Sequence, residues 1–323
     1  MIALVTGSCG FQATHLIDAL VKDGNDVIGL AIPSDVSFKN YNSYLSGKKR
    51  YRQVWGSIND KDLVERIVSG VNVVFHLAAK INVDESIYDF ENFYKTNIIG
   101  TSNILEACRK SNVKMIQTST CEVMGENLDG KPMKEDRPLL PHSPYAASKC
   151  AAERMCYAYY KTHDLDVKIV RPFNLYGERQ KRYGAGAMIP IFFEKAINDE
   201  DIVVNGDGKQ ERDYIHVSDI VRAYLHILNH PEYTGKIVHV GCGVPRSVID
   251  IAEKIVKIVG KGRIVHGPAR KGEVTTFMAD SSFIQSNGFK LTVDFDEGLE
   301  RYYQWRVGGT GKTQAEQGWP WGC

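Results

Sequence analysis

Two groups of polar side chains in the middle of the chain have the types and spacing that proton transfer requires. Tyr145 and Lys149 stand four residues apart in the motif YAASK, a spacing that places both on one face of a helix. A phenol with its ordinary pKa of about 10 is a poor base at neutral pH, but a neighbouring ammonium favours the phenolate. Upstream, an apolar stretch ending in KMIQTS runs into Thr120, Cys121 and Glu122, a hydroxyl, a thiol and a carboxylate in a row. These five residues are the candidate catalytic groups.

A glycine turn near the start of the chain indicates a second kind of site. In VTGSCGFQATHL, Gly7, Gly10 and Ala13 lie between a predicted strand and a predicted helix, spaced G-x-x-G-x-x-A. Glycines there permit a tight turn and close approach of the backbone to a pyrophosphate, and the helix N-terminus offers free N–H groups. The turn therefore predicts dinucleotide binding.

The end of the second predicted strand bears on which dinucleotide is bound. An acidic residue that contacts the adenosine ribose is expected there, but Ala31 occupies the position and Asp35 is the nearest carboxylate. No arginine or lysine that could hold a 2′-phosphate follows before Lys39. We favour NAD over NADP as the cofactor.

The elements around these motifs alternate between short apolar runs and amphipathic stretches, which predicts βαβ units. The expected fold class is α/β, a Rossmann-type doubly wound parallel sheet with a smaller α/β substrate-binding lobe. We place the Rossmann domain in 1–172 with a return segment in 214–240, the smaller substrate-binding lobe mainly in 173–307, and a disordered tail in 308–323. GDGKQERDYIHVSD is interpreted as a loop that ends in a helix start, and SVIDIAEKIVKIVG as a helix closed by Gly260. The tail sequence GTGKT lacks the first glycine of a phosphate loop, since Arg306 stands in its place.

Composition excludes several classes of function. The 40 basic and 39 acidic residues nearly cancel, which argues against nucleic-acid or membrane-surface binding. The seven cysteines are scattered, without metal-ligand spacing, so we predict no metal site and a reducing, cytoplasmic location. The chain begins directly with a strand and contains no run of 18 apolar residues, so neither a signal peptide nor a transmembrane helix is expected.

Many motifs, in order, resemble the extended short-chain dehydrogenase/reductase family, specifically its nucleotide-sugar epimerases and dehydratases. The matching segments span residues 1 to about 306 and include TGSCGFQATHL, FHLAA, TNIIGTSNILEAC, STCEVMG, SPYAASK, RPFNLYG, MIPIF, GDGKQERDYIHVSDI and GPARKGEV. This resemblance implies an enzyme with NAD, in which the cofactor contacts are Gly7, Gly10, Phe11, Gln12, Ser57, Ile58, Leu77, Ala78, Ala79, Tyr145 and Lys149.

The resemblance also assigns roles to the candidate catalytic groups. Tyr145 would remove a proton from a sugar hydroxyl, usually at C4, Thr120 would hydrogen-bond the same oxygen, and Lys149 would hold the nicotinamide ribose and lower the pKa of the tyrosine. A hydride then moves from C4 to the nicotinamide. Glu122 would take the C5 proton in a dehydratase, and Cys121 would protonate the departing C6 hydroxyl.

The substrate implied is a nucleoside diphosphate sugar, expected to be a UDP-hexose or UDP-N-acetylhexosamine. Arg212 and Arg270 match positions that grip the diphosphate, Glu273 matches a ribose contact, and Asn174 matches a diphosphate or sugar contact. A homodimer is implied as well, joined through the helices that contain TSNILEACRK and AAERMCYAYY.

Four reactions or roles remain open at this point. A dehydratase of the 4,6- or 5,6-type is favoured because Glu122 follows Cys121, where plain 4-epimerases of the family usually carry small or apolar residues. In the 4,6-dehydratases of the family an aspartate usually stands where this chain has Cys121. The combination of STCEV with SPYAASK is similar to the NDP-hexosamine 5,6-dehydratase of the tunicamycin pathway. A UDP-hexose 4-epimerase, a UDP-glucuronate decarboxylase with Arg179 or Arg182 on the carboxylate, and a non-catalytic nucleotide-sensing module are the alternatives. Cys121 as a small buried residue is also an open interpretation.

Overall fold

A computed structural model describes residues 1–181, 187–269 and 276–308. Arg182, Arg270, Glu273 and the tail from residue 309 lie outside the described residues. The strands of the described ranges are β1 Ile2–Thr6, β2 Asp26–Ala31, β3 Tyr51–Trp55, β4 Val73–His76, β5 Lys114–Thr118, β6 Val167–Pro172, β7 Asn174–Tyr176, β8 Asp201–Asn205, β9 Glu211–His216, β10 Ile237–Val240, β11 Pro245–Ser247 and β12 Arg263–Gly267. The α-helices are α1 Phe11–Lys22, α2 Asp35–Asn40, α3 Lys61–Val68, α4 Val83–Tyr88, α5 Phe90–Tyr94, α6 Thr101–Ser111, α7 Pro144–His163, α8 Met188–Ile197, α9 Val217–Asn229, α10 Val248–Val259, α11 Ser282–Ser286 and α12 Phe295–Gly308.

The larger sheet has seven strands in the order β10-β6-β5-β4-β1-β2-β3, and every neighbouring pair is parallel. Strands β4 and β6 are buried along their whole length, as expected for strands covered by helices on both faces. One apolar cluster fills the face under α1 and α9, and another fills the face under α3, α6 and α7. The predicted Rossmann-type α/β fold is confirmed.

The strand order reverses between β1 and β4, because the chain goes from β1 outward to β3 and then returns to β4 on the other side. Ligands of doubly wound sheets bind at such a reversal, beyond the carboxyl ends of the strands. The turns that follow β1, β4 and β5 therefore face the same crevice.

A smaller lobe accompanies this sheet, as predicted. It contains a three-stranded sheet in the order β11-β9-β7 and a parallel pair, β12 with β8. Helices α8, α10 and α12 contribute apolar side chains to its core, among them Phe193, Ile251 and Tyr302. Helix α10 ends at Gly260, whose left-handed backbone caps it as the sequence predicts.

The interpretation of GDGKQERDYIHVSD as a loop is wrong, because Glu211–His216 forms strand β9 at the centre of the three-stranded sheet. The charged residues of this segment are typical of a loop, so the sequence did not indicate a strand. Asp213 is completely buried there because its carboxylate accepts hydrogen bonds from the backbone N–H groups of Cys242, Gly243 and Ala279. Backbone donors can satisfy a buried carboxylate, so a charged residue does not exclude an interior strand.

The chain returns to the large sheet after β9. Strand β10 pairs with β6, and helix α9 packs against α1. The exact division of the chain into domains at residue 172 stays a prediction. In the described residues, no helix is both long enough and apolar enough to cross a bilayer.

Candidate active site

The glycine turn after β1 has the geometry that lets the protein backbone come close to a bound cofactor. Gly7 adopts a φ of +67°, a conformation that favours glycine. A Cβ atom at Gly7 would lie 2.9 Å from the Cα of Ala78, so no side chain fits there. The N–H of Gly10 donates to the carbonyl of Gly7 at 2.8 Å and closes the turn.

Helix α1 begins directly after this turn with its N–H groups uncapped. Gly10 precedes the helix in an extended conformation, no side chain accepts from the first turn, and no acidic residue lies in that turn. Phe11 and Gln12 are its first two residues, and Ala13 is buried against the sheet. An uncapped helix N-terminus beside a cradle that a Cβ would fill fits the pyrophosphate of a dinucleotide.

A buried polar network that the sequence did not reveal holds the other wall of this cradle. The Thr6 hydroxyl accepts from the N–H groups of Leu77 and Ala78 at 3.2 and 3.1 Å and contacts Nδ1 of His76 at 2.7 Å. Nε2 of His76 lies 3.0 Å from the Thr101 hydroxyl. Burial, followed by the positive charge of Lys149, lowers the pKa of His76 to about 3, so the ring is neutral.

The remaining predicted cofactor residues lie at the carboxyl ends of neighbouring strands. Ser57 and Ile58 follow β3, where the carbonyl of Ala31 accepts from the N–H of Gly56 at 2.9 Å. Ala79 is half-buried after β4, next to Ala78 of the cradle. The structure thus brings the predicted cofactor residues to one edge of the large sheet.

Tyr145 and Lys149 lie one turn apart on α7, and both are buried. The helix starts where the motif PHSP predicts, since the Ser143 hydroxyl caps it by accepting from the N–H of Ala146 at 3.1 Å. Nζ of Lys149 donates to the carbonyl of Thr118, the last residue of β5, at 2.6 Å. The lysine therefore ties helix α7 to the carboxyl end of strand β5.

The two pKa values shift as burial dictates. Desolvation lowers the pKa of Lys149 to about 8, and the Glu153 carboxylate opposes that shift. Desolvation raises the pKa of Tyr145, the negative charge of Glu122 raises it further, and a hydrogen bond with Thr120 opposes both. The phenol is therefore protonated without cofactor, and its activation needs additional positive charge nearby.

The segment after β5 presents the other candidate groups. Thr120 caps a 3₁₀ turn, Cys121–Met124, by accepting from the N–H of Glu122 at 3.3 Å. Glu122 is half-buried, and desolvation raises the pKa of its carboxyl while the guanidinium of Arg212 opposes the shift. A carboxylate with a raised pKa that lies near Tyr145 is suited to general-base work.

Cys121 points away from solvent. It is 4% exposed and belongs to an apolar cluster with Val123, Met124, Met133 and Phe173. Burial raises the pKa of its thiol, followed in effect by the negative charge of Glu122. The thiol is therefore protonated at neutral pH, as a proton donor or a packed apolar group would be.

A buried ion pair next to the candidate catalytic residues was also not predicted from the sequence. Glu153, one turn after Lys149 on α7, accepts from Nε and Nη2 of Arg171 at 2.8 and 2.7 Å, and both side chains are completely buried. The Ser119 hydroxyl donates to the same carboxylate. One carboxylate therefore connects the residue before Thr120 to the helix that carries Lys149.

On the side of the smaller lobe, the structure describes two of the four predicted substrate residues. Asn174 begins β7, and its Nδ2 is buried without a hydrogen-bond partner. Arg212 lies on β9, donates to the carbonyl of Glu211 at 2.7 Å and lies over the ring of Phe277. Arg270 and Glu273 fall outside the described ranges. In the described ranges, no group of three or more His, Cys, Asp or Glu side chains could hold a metal ion.

Comparison with known proteins identifies the family. The profile of the NAD dependent epimerase/dehydratase family matches residues 3–241. A putative UDP-glucose 4-epimerase of Methanocaldococcus jannaschii is 35% identical over 306 residues, which cover 94% of this chain and 97% of the relative.

Solved structures give the same result. The UDP-glucose 4-epimerase of Thermotoga maritima with UDP-glucose superimposes with a TM-score of 0.89 at 31% identity, covering 96% of this chain and 100% of that one. The dTDP-glucose 4,6-dehydratase DesIV of Streptomyces venezuelae with NAD bound superimposes with a TM-score of 0.88 at 30% identity, covering 96% and 98%. The cofactor is NAD. The chain belongs to the NAD-dependent epimerase/dehydratase family, within the extended short-chain dehydrogenases/reductases.

Proposed function

We propose that this enzyme is a nucleotide-sugar dehydratase that removes water across C5 and C6 of an NDP-hexose. The observation that carries the proposal is the position of Glu122. Its carboxylate follows the strand end that also bears Thr120, it interacts electrostatically with Tyr145 and Arg212, and burial raises its pKa. An elimination requires a second base beside the residues of hydride transfer, whereas an inversion at C4 does not.

Three residues serve the oxidation of C4. Tyr145 takes the proton of the C4 hydroxyl, and Thr120 hydrogen-bonds the same oxygen. Lys149, anchored on the carbonyl of Thr118, holds the nicotinamide ribose and supplies positive charge. NAD, when bound, accepts the C4 hydride and later returns it to the sugar.

The elimination follows from the acidity of the C5 hydrogen beside a C4 ketone. Glu122 takes that proton, the C5–H electrons form the C5–C6 double bond, and the C6 hydroxyl leaves as water with a proton from the thiol of Cys121. Return of the hydride to C6, with the proton on Glu122 going back to C5, would give a 4-keto-6-deoxy sugar. Its return to C4, with the proton on Tyr145 going back to the C4 oxygen, would give a 5,6-alkene. The substrate we propose is a UDP-hexose or UDP-N-acetylhexosamine, with its diphosphate near Arg212 and Asn174.

The test compares Glu122→Gln with a matched control, Glu126→Gln, a carboxamide change in the same loop four residues on. Each variant is incubated with a panel of NDP-hexoses, bound NAD is followed by absorbance, and products are analysed by mass spectrometry. Glu122→Gln should still reduce bound NAD but release no dehydrated sugar, while Glu126→Gln should behave as wild type. Full dehydration by Glu122→Gln would refute the assignment.

The 4-epimerase is the second candidate, and the burial of Cys121 favours it. A thiol packed among Val123, Met124 and Met133 is a poorer proton donor than the acid that a dehydratase would place beside its base. Solvent deuterium distinguishes the two reactions. A dehydratase that returns the hydride to C6 incorporates deuterium at C5, and one that forms the 5,6-alkene loses the mass of water and keeps no hydrogen at C5. An epimerase inverts C4 with neither exchange nor a change of mass.

One of the two arginines proposed to bind the C6 carboxylate in the decarboxylase alternative, Arg179, is unsuited to that role. Arg179 is buried, pairs with Asp18 at 2.6 Å and lies over the ring of Tyr44, so its guanidinium is already engaged. Arg182 lies outside the described residues. The sensing-module alternative predicts that no NDP-sugar reduces the bound NAD, which the same panel measures.

We also propose a homodimer. Phe90 and Tyr94 on α5, Ile99 in the π-helical turn before α6, and Tyr157 on α7 are large apolar side chains that are at least 40% exposed. Helices α6 and α7 contact each other, and α5 contacts α7, so these side chains lie on adjoining elements. A sedimentation mass of twice 36.2 kDa that falls to the monomer value in Ile99→Glu would support this interface.

A further inference from the structure

Two arginines of the smaller lobe lie directly opposite each other in the three-stranded sheet. Arg246 of β11 pairs in register with Arg212 of the antiparallel strand β9. Residues opposite each other in an antiparallel ladder project their side chains from the same face, with Cβ atoms about 5 Å apart. Like charges in that arrangement are destabilising unless an anion neutralises them.

Within the part of the chain that the structure describes, neither arginine forms a salt bridge, although the Glu122 carboxylate interacts electrostatically with Arg212 and the Asp294 carboxylate with Arg246. Arg212 bonds only a backbone carbonyl, and Arg246 has its Nε buried without a hydrogen-bond acceptor. The guanidinium of Arg246 lies 4.3 Å from the ring centroid of Phe295, and that of Arg212 lies 5.6 Å from the centroid of Phe277. The aromatic rings orient the two half-buried cations and leave N–H groups of both available to a ligand.

A third unsatisfied donor lies on the same face. Asn174 of β7 is in register with Tyr214, which is two residues from Arg212 and therefore projects from the same side of β9. Nδ2 of Asn174 is buried and has no acceptor. Three hydrogen-bond donors on one face of this sheet, two of them cationic, suit an anionic ligand.

The backbone that carries Arg246 is held firmly in place. The turn before β11 donates two backbone hydrogen bonds, from Cys242 and Gly243, to the buried carboxylate of Asp213, both at 2.8 Å. Asp213 lies next to Arg212 on β9, so a single carboxylate fixes the relative positions of the two strands. The spacing of the two arginines is thus set before any ligand binds.

We propose that Arg246 is a substrate-binding residue that forms a two-arginine clamp with Arg212 on the diphosphate of the nucleotide sugar. This inference rests on the proposed function and adds a residue that no motif in the sequence indicates. Each guanidinium presents a planar fork that matches a phosphate in two hydrogen bonds, so two forks suit a diphosphate better than a monophosphate. Arg246 therefore contributes selectivity for the diphosphate over the nucleoside and its monophosphate.

The experiment measures binding by calorimetry to the full-length protein saturated with NAD, with UDP, dTDP, UMP and uridine as probes. Arg246→Gln should weaken binding of the preferred nucleoside diphosphate by about tenfold or more, since each charge-assisted hydrogen bond is strong. Binding of the nucleoside should change less than about twofold. Arg246→Lys should lie between, because lysine keeps the charge and loses the fork. Arg263→Gln is the control, an exposed arginine of the same lobe paired with Asp201.

The outcomes separate this inference from the proposed function. If wild type binds a nucleoside diphosphate and Arg246→Gln binds it equally well, Arg246 is not part of the site and the proposed function still stands. If Arg246→Gln weakens diphosphate and nucleoside alike, the arginine acts only through packing on Phe295 and the clamp is wrong. If wild type binds none of the nucleotides, the proposed function fails, and the clamp fails with it.

Discussion

Replacing Glu153 by glutamine tests whether the buried ion pair positions the proposed catalytic groups. The change keeps the shape of the side chain but removes the negative charge that faces Arg171. Because both side chains are completely buried, the guanidinium is left uncompensated in the interior. Removing one partner of such a pair costs about 3–5 kcal/mol, a large part of the roughly 5–15 kcal/mol that stabilises a typical protein. We expect Glu153→Gln to fold with a clearly lower denaturation midpoint.

Activity provides the more specific readout. The Glu153 carboxylate raises the pKa of Lys149 and so opposes the burial that lowers it to about 8. Neutralising Glu153 lowers the pKa of Lys149 further, so the ammonium is lost at lower pH and the alkaline limb of kcat should move down. The other titratable groups near Lys149 are His76, whose ring is already neutral, Cys156 and Tyr145. None of them can replace the lost negative charge near neutral pH.

The assay pairs urea denaturation with a pH profile of NAD reduction in three proteins: wild type, Glu153→Gln and the double variant Glu153→Met/Arg171→Met. The double variant removes both buried charges, and such replacements are often neutral or stabilising, so its stability should recover toward wild type. Its activity should stay low, because the Ser119 hydroxyl and Lys149 still lack the carboxylate. Recovery of both stability and the wild-type pH profile in the double variant would refute a positioning role.

Three further predictions concern the proposed cofactor site and the proposed catalytic lysine, Lys149. Gly7→Ala should abolish retention of NAD, measured by chromatography of released nucleotide, because its Cβ would overlap Ala78 and its positive φ costs about 1–2 kcal/mol in an alanine; a variant that retains full NAD would contradict the cradle. Tyr224→Phe removes the hydroxyl that contacts the Thr118 hydroxyl at 2.9 Å. The free energy of unfolding, measured by urea denaturation, should fall by about 1–3 kcal/mol because the buried Thr118 hydroxyl loses a partner. Unchanged stability would show that the contact is not needed. The kcat of wild type should fall as pH rises through about 8, where Lys149 loses its proton, and a profile that stays flat to the ordinary lysine range would refute that assignment.

The features that the sequence determined by itself are local ones. The turn at Gly7 and Gly10 follows from the conformational freedom and small size of glycine, and the pairing of Tyr145 with Lys149 follows from the helical period. The alternation of apolar runs and amphipathic stretches was enough to predict the parallel sheet. Strands buried on both faces are continuous apolar runs, and such runs can be recognised in the sequence without knowing which strands pair. The resemblance to a family then placed Glu122 at the site.

The features that only the tertiary structure decided depend on register and burial between distant segments. Strand β9 was missed because its charged residues are typical of a loop until the backbone donors that satisfy Asp213 are known. Glu153 and Arg171 have the composition of surface charges, and only their meeting 18 residues apart makes them a buried pair. Arg246 was overlooked for the same reason, since a lone arginine in a sequence gives no sign of the arginine opposite it. Whether a charge is solvated, paired or left for a ligand is set by which strands become neighbours, and local sequence does not encode that.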